Sequence, residues 1–364
     1  MKILQLIQKP QPRGAEMFAA QLSTQLEALG HSSKIIAIFG SIEKHKYKAD
    51  YLVLDANPKA RLWDKAGWGK LAQLIKEQNP DIIQANAGDT LKYAVFSKML
   101  FGWKQPIIFR NASTLSSYIK SPFQKLYNSF LYKQTDAIAS VSKHSRKDLI
   151  KLFPGLSSKA ITIPIGLDEK KVVNNPFEAF PLEQINLVHV GGFSFEKNHV
   201  GLLRIFRSVK QQQPNAHLWL VGDGSLRNSI EDIVIEHELK GCVHFTGFIN
   251  NPLDYIANAH ALLLPSIIEG LPGVILEAML YETPVIAYNV GGIGEVVHHK
   301  RTGWLVESEN ERAFEETIHE VLQLPFSEKE QIIANAAQLV RKYYMNSHIT
   351  SNFVQLYNEV LRNN

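Results

Sequence analysis

The strongest constraint in this chain is a rhythm. Short apolar runs are each followed by a turn and a segment of helical period, and the pattern repeats from end to end. An apolar run flanked by helical segments reads as a strand covered on both faces. The helix between two such strands supplies the crossover that parallel pairing needs, so the pattern predicts serial βαβ units. In the first half, strands are expected at "KILQLIQ", "SKIIAIF", "YLVL", "DIIQA", "PIIF", "DAIASV" and "AITIPI". The helix over residues 15–29 should end at Gly30, a residue suited to a helix C-terminus.

The series restarts at "INLVHVGG" and continues through "AHLWLVGDG", "CVHFTGF", "ALLLPS", "PVIAY" and "GWLV", with helices from Asn310 onward. A chain of 364 residues exceeds one ordinary core. The expected architecture is therefore α/β, with two doubly wound, Rossmann-like domains over residues 1–166 and 185–346. The polar stretch 167–184, with two Pro and no clear period, reads as the linker. The closing helix, within 347–364, has no strand after it and is expected to pack back on the first domain. Ligands in such folds bind beyond the carboxyl ends of the strands, so the loops there, facing a shared cleft, should carry the chemistry.

Composition narrows the class. "MKILQLIQKPQP" is too short an apolar run, and too soon broken, for a signal peptide or a membrane span. The single cysteine, Cys242, excludes an internal disulfide and fits a small core residue in a reducing, cytoplasmic setting. The net charge of +4 hides an asymmetry: residues 1–170 hold 25 Lys+Arg against 13 Asp+Glu, a net +12, and residues 171–364 hold 14 against 22, a net −8. A basic half joined to an acidic half suggests that only one of them faces a polyanion, a phosphorylated acceptor or an anionic membrane surface. Nucleic acid is not an expected partner.

Three loops stand out. "GGFSFEKN", residues 191–198, follows a strand and opens a helix over 199–212. Its Gly191 and Gly192 permit a tight turn, and Lys197 sits where an ammonium could meet phosphate. It reads equally as an ordinary βα loop with a solvated lysine. "VGDGSLRNSIE", with Ser225 as expected N-cap, is a second Gly-rich turn and more simply a plain one. Neither is G-x-G-x-x-G or a Walker loop. In "SIIEGLPGVILEAML", Pro272 suits the first turn of a helix running to about Tyr281, whose N-terminus is a natural anion seat. Glu269 outside it and Glu277 in its second turn would flank an anion and accept hydrogen bonds from hydroxyls. The alternative is a helix with one exposed and one capping acid.

These residues resemble the family 4, or group 1, glycosyltransferases, retaining enzymes of the GT-B fold. The resemblance lies in Pro265-Ser266, Glu269 and Glu277-Ala278-Met279 as E-x7-E, then "TPVIA", Gly291-Gly292-Ile293-Gly294-Glu295 and "TGWLV". "VGGFSFEKN", "VGDG", "FTGFINNPLDYIANAHALLLPS", "RGAEMFAAQLSTQLEALGH", "SVSKHSRKDL" and "IPIGLD" extend it over essentially the whole chain. It implies a nucleotide-diphosphate-sugar donor, with UDP the expected nucleotide, and a saccharide or lipid-linked saccharide acceptor in cell-surface polysaccharide synthesis. Glu269 and Lys197 would be catalytic. Glu277 would take the ribose hydroxyls, and Glu269 with the backbone of Gly270, Leu271, Pro272, Gly273 and Val274 would hold the donor sugar. Lys197, the helix end and the Gly191-Gly192 turn would face the diphosphate. Phe248 and Ile249 would border the base, and Gly14 would let the N-terminal loop approach the phosphate.

The chain departs from the family pattern at several positions. The usual Arg of V-G-R is Gly192, while Arg13 stands where Gly is usual and Glu282 where Gly is usual. The histidines often found in the first domain are absent from "DIIQANA" and "PIIFRNAS". Retaining transfer needs no protein base if the leaving phosphate takes the acceptor's proton, and Arg13, Asn86, Arg110 and Asn111 become candidate acceptor contacts. No cofactor and no metal is expected. The alternative reading is a degenerate GT-B protein that binds nucleotide or glycan without turnover. Finally, "SPFQKLYNSFLYKQ", residues 121–134, places Phe123, Leu126, Tyr127 and Phe130 on one stripe of a basic helix. Such a stripe either faces the core or lies on an anionic membrane, which would make the protein peripheral at the inner face.

Overall fold

The computed structural model describes residues 1–11, 13–40, 49–60 and 63–363. It divides into two compact units, Met1–Gly166 with Asn346–Asn364, and Leu167–Met345. In the first unit the strands are β1 (Lys2–Ile7), β2 (Ser32–Ala37), β3 (Leu52–Val53), β4 (Ile82–Ala85), β5 (Ile107–Asn111), β6 (Ala137–Ser140) and β7 (Ala160–Thr162). They form one parallel sheet in the order β3-β2-β1-β4-β5-β6-β7.

Both faces of that sheet are covered, which is why its central strands are mostly apolar on both sides rather than alternating, with Gln5, Gln84, Arg110 and Asn111 as buried polar exceptions. Helices Lys65–Gln78, Gly88–Phe101, Pro122–Lys133 and Lys143–Leu152 supply Trp68, Leu71, Tyr93, Leu131 and Leu149 to one face, against Ile83, Ile107 and Phe109. Helices Gly14–Ala28 and Asn346–Asn363 cover the other with Phe18, Leu22, Phe353 and Tyr357, against Ile3, Ile82 and Ile108. The closing helix thus shares a core with the first helix, and the Phe18 and Phe353 ring centroids lie 5.5 Å apart.

The second unit repeats the winding. Its strands are β8 (Ile185–Val190), β9 (Ala216–Val221), β10 (Val243–Gly247), β11 (Ala261–Leu264), β12 (Val285–Tyr288) and β13 (Trp304–Val306), all parallel in the order β10-β9-β8-β11-β12-β13. Leu202, Phe206, Ile230, Phe314 and Ile318 from helices His199–Gln212, Arg227–Glu236 and Glu311–Gln323 fill the core on one face. Cys242 belongs to this core; its Sγ donates to Leu239 O at 3.1 Å, and burial pushes the thiol pKa up.

Three details differ from the sequence reading. Residues 167–184 belong to the second unit: Phe177 is buried with its ring 5.3 Å from Trp219, and Val173 N donates to Asp254 Oδ1 at 2.8 Å, so an aromatic contact and a hydrogen bond together hold this polar-looking segment there. Ser225 is not an N-cap, because the turn after β9 is pinned by Leu226 N to Phe193 O at 3.2 Å and the helix begins two residues later, at Arg227. Pro272 is the residue before the first turn, with extended backbone (φ −76°, ψ 126°), and the helix it opens is Gly273–Leu280.

Candidate functional site

In the second unit the connection from β8 leads to β9 on one side, while β11, on its other side, leads away to β12. Diverging connections leave a crevice at the carboxyl ends of β8 and β11. Two loops line it, residues 191–198 and 265–273.

They are stitched to each other. Asn198, in left-handed backbone (φ 53°), caps helix His199–Gln212 by accepting from Gly201 N at 3.2 Å, and its Nδ2 donates to Pro265 O at 3.1 Å. Ile267 N donates to Glu196 O at 2.9 Å. The result is an ion pair between residues 72 apart in sequence: Lys197 Nζ meets Glu269 Oε1 at 2.6 Å, with the side chains 20% and 10% exposed. Partial shielding from water strengthens such a pair and fixes both groups where a ligand would find them.

Backbone packing holds the loops at this distance. A Cβ on Gly291 would stand 2.0 Å from Glu269 O, and Gly292 N donates to Gly270 O at 2.6 Å, so the "GG" after β12 lies directly against "EG". Likewise Gly191 N donates to Val221 O at 3.0 Å and Gly222 N to Gly247 O at 3.1 Å, which ties the turns after β8, β9 and β10 together. Gly192 is different: the atom nearest to a Cβ there is Asp223 O at 3.7 Å, which leaves room for a side chain.

Gly270, Leu271 and Pro272 are buried, and Gly273 and Val274 half-buried, at the start of helix Gly273–Leu280. No side chain among the described residues caps that end, so its first N–H groups and dipole are left to attract an anion. Glu277 is half-buried in the second turn; burial raises its carboxyl pKa, opposed by the charge of Lys170. Phe248 is exposed and Ile249 half-buried, immediately after Gly247 at the end of β10.

Two residues beside these loops escaped the sequence reading. His189 on β8 is fully buried; its Nδ1 lies 2.8 Å from Leu263 O, while Nε2, without a partner among the described residues, lies 3.4 Å from where a Gly191 Cβ would be. Burial pushes the His189 pKa down to about 4 and that of its neighbour His199, ring centroid 4.7 Å away, to about 2. Arg227 pairs with Asp223 of the Gly-rich turn at 3.3 Å and with Glu231 at 2.7 Å. The available signals were an imidazole inside the mostly apolar strand "INLVHV" and a cation four residues after Asp223.

The candidate acceptor residues belong to the first unit. Arg13 and Gly14 are exposed at the start of helix Gly14–Ala28, with Arg13 the residue before its first turn. Arg110 is buried, its guanidinium carbon 3.8 Å from the centre of the Phe18 ring, and Nη1 has no partner among the described residues. Burial lowers its pKa to about 9, opposed by Glu16, so it stays a cation at neutral pH. Glu16 is itself buried, its pKa raised by burial and opposed by a hydrogen bond from Gln11 at 3.1 Å.

The structure does not bring the four candidates together. Arg110 and Asn111 are consecutive in β5 and face opposite sides of the sheet: Arg110 stacks on Phe18, while Asn111 Nδ2 donates to Ser140 Oγ at 3.3 Å. Asn86 is buried and engaged, donating to Gln5 Oε1 at 2.9 Å and Leu6 O at 3.2 Å and accepting from Gln84 at 3.0 Å. Its amide thus completes a polar network that ends on the Tyr357 hydroxyl, which donates to Gln84 Oε1 at 2.6 Å.

The stripe on helix Pro122–Lys133 also splits. Tyr127 and Phe130 pack against Phe96, at 6.5 and 6.2 Å between centroids, whereas Phe123 and Leu126 are exposed. Among the described residues no helix is long and apolar enough to cross a membrane, and no group of three or more His, Cys, Asp or Glu side chains is placed to hold a metal ion.

Known proteins share this plan. The family model for glycosyl transferases group 1 matches residues 173–339, and that for glycosyltransferase family 4 matches residues 12–171. The N-acetylgalactosamine-N,N'-diacetylbacillosaminyl-diphospho-undecaprenol 4-alpha-N-acetylgalactosaminyltransferase of Campylobacter jejuni is 26% identical, over 64% of each chain, so the chain spans less than two thirds of that relative. The N-acetyl-alpha-D-glucosaminyl L-malate synthase of Bacillus anthracis is 24% identical over 97% of this chain and 96% of that one. Among solved structures, Anabaena HepE in complex with UDP and glucose superposes with a TM-score of 0.82 at 19% identity, covering 99% of this chain and all of that one, a likeness of fold.

Proposed function

Because the chain belongs to the group 1 glycosyltransferases, we propose that it moves a hexosyl group from a UDP-sugar to a saccharide or lipid-linked saccharide acceptor in cell-surface polysaccharide synthesis. Transfer proceeds with retention at the anomeric carbon and without a metal ion. The observation that carries this reading is the Lys197–Glu269 pair, 2.6 Å apart at the carboxyl ends of β8 and β11 and beside the uncapped end of helix Gly273–Leu280. A cation and a helix N-terminus together suit a leaving diphosphate, and an adjacent carboxylate suits the hydroxyls of the sugar it leaves.

In this reading the bond between the anomeric carbon and the phosphate oxygen breaks as the acceptor hydroxyl attacks from the same face. The departing phosphate oxygen takes the hydroxyl proton, so no protein base is needed. Lys197 and the first-turn N–H groups stabilise the leaving charge, Glu269 and the backbone from Gly270 to Val274 hold the sugar, Glu277 accepts from the ribose, and Phe248 and Ile249 border the base. On the acceptor side the exposed Arg13 and the buried cation Arg110 are the candidates, and the enzyme works at the cytoplasmic face of the membrane that carries its acceptor. The name of the Campylobacter relative, which specifies an undecaprenol-linked acceptor, supports the lipid-linked choice.

A thermal-shift panel of UDP, GDP, ADP and their sugars tests the donor, since a ligand at a hundred times its Kd stabilises the folded state by about 2.7 kcal/mol. UDP is expected to give the largest shift. Glu269→Ala or Lys197→Ala should lower kcat for transfer about 100-fold or more, the scale for removing one preorganised charge from a transition state, and EDTA should leave the rate unchanged. The reading fails if no nucleotide shifts the melting temperature and no sugar nucleotide is turned over.

A further inference from the structure

Between Asp89 and Asp136 the sequence holds no acidic residue, yet it holds Lys92, Lys98, Lys104, Arg110, Lys120, Lys125 and Lys133. The run includes β5, the loop after it, and helix Pro122–Lys133. That helix opens with a Ser121 cap, whose Oγ accepts from Gln124 N at 3.2 Å, and with Pro122 in its first turn. The helix start is therefore capped and stabilised locally from its first residue. Every residue from Lys120 to Leu126 is exposed, and within this stretch Phe123 is 76% and Leu126 72% exposed.

Two large side chains on one helical face, left out of the core while Tyr127 and Phe130 one turn on are packed into it, need a reason. Tyr118, also exposed, lies in the loop that leads into this helix. The helix follows β5 in a parallel sheet, so its first turn lies at the carboxyl ends of the strands, the end where ligand-binding loops gather. Lys120 and Lys125 flank the apolar pair with no acid in the helix or the loop before it to neutralise them. Apolar side chains in the middle, ammonium groups at the rim and a net positive charge, beside the Asp148 carboxylate that accepts from Ser116 N of the preceding loop at 3.0 Å, match an anionic bilayer surface, in which rings and leucines enter the interface and lysines meet phosphates.

We infer that the first turn of helix Pro122–Lys133 is a membrane-docking element: Phe123 and Leu126 insert into the headgroup region of an anionic bilayer, and Lys120 and Lys125 pair with its lipid phosphates. The inference deepens the reading of a lipid-linked acceptor, since such a substrate presents its diphosphate and sugars at that plane. Met99, Leu100 and Phe101 are exposed too, but they end helix Gly88–Phe101 where the crossover from β4 returns to the amino end of β5, the opposite end of the strands, and serve as a comparison surface.

Co-sedimentation of the full chain with vesicles tests it. Binding is expected to vesicles with about 30% anionic lipid, to be lost on zwitterionic vesicles, and to weaken several-fold as salt rises from about 0.05 to 0.3 M. Phe123→Ser with Leu126→Ser should weaken binding about tenfold or more at unchanged melting temperature, and Met99→Ser with Leu100→Ser should leave it unchanged. Wild-type protein that stays in solution with anionic vesicles would overturn the inference. So would equal binding by the Phe123/Leu126 variant, or a wild-type dimer in solution that this variant converts to monomer. Hydrolysis of the sugar nucleotide without acceptor should be the same in this variant and the wild type. If the wild type binds vesicles but turns over no sugar nucleotide, the transferase reading falls and the docking surface stands.

Discussion

At the scale of single residues, the glycines of the candidate site fall into two kinds, and the difference can be measured. Gly291 has φ 56° and faces the Glu269 carbonyl at a distance no Cβ can tolerate, so Gly291→Ala should cost about 3 kcal/mol and displace Glu269 from Lys197. Gly192 has space around it. Gly192→Arg should fold with an unchanged melting temperature and bind UDP more tightly, because it adds a cation where the family usually has one; calorimetry with UDP reads both effects. The pair His189 and His199 makes a prediction about pH. Their native pKa values, about 4 and about 2, lie below the ordinary 6.5, so the unfolded chain binds protons that the native one refuses. Their contribution is therefore full above pH 6.5 and is lost as pH falls from 6.5 toward 4, at about 1.4 kcal/mol per pH unit for each imidazole. Urea melts between pH 7.5 and about 4.5 should show this slope, and His199→Phe should flatten it.

At the scale of elements, much was legible. The helix expected over 199–212 is His199–Gln212 in the structure, and helix Glu311–Gln323 begins just after Asn310, whose side chain accepts from Ala313 N at 3.0 Å. Local signals sufficed there because period and cap agree. They misled at Ser225, where a hydrogen bond to Phe193, 33 residues earlier in the chain, delays the helix. They were incomplete for 121–134, whose apolar stripe is one pattern in sequence and two environments in space, because helix Gly88–Phe101 covers only its later turns. Asn198 joins element and site: it caps its helix and ties the loop to Pro265. Asn198→Ala should lower stability by about 1–2 kcal/mol in urea titrations and reduce kcat/KM by loosening Lys197, while Asn198→Gly should recover part of the stability, the position being left-handed, and none of the tie.

At the scale of the whole molecule, the C-terminal helix belongs to the first unit although 179 residues of the second unit, Leu167–Met345, come before it. Phe353 is fully buried against Phe18 and Tyr357. Phe353→Ala should cost about 3–5 kcal/mol, and the loss should fall on the first unit's transition. UDP stabilisation of the second unit should persist in that variant, and calorimetric scans with and without UDP would separate the two responses.

The sequence by itself determined the winding: apolar runs alternating with helical period leave a parallel sheet covered on both faces as the stable burial, and the E-x7-E block with its glycines falls at the carboxyl end of one sheet. Local pattern can carry that much because strand, helix and turn preferences act over a few residues. Only the tertiary structure decided which marked residues meet. It joined Lys197 to Glu269 across 72 positions, set Arg110 and Asn111 on opposite faces, enclosed Asn86 in a polar network and left Phe123 and Leu126 in the open. Each of those outcomes depends on which loops and helices pack side by side, a long-range choice made by the sheet's strand order and by backbone contacts too close for any residue but glycine.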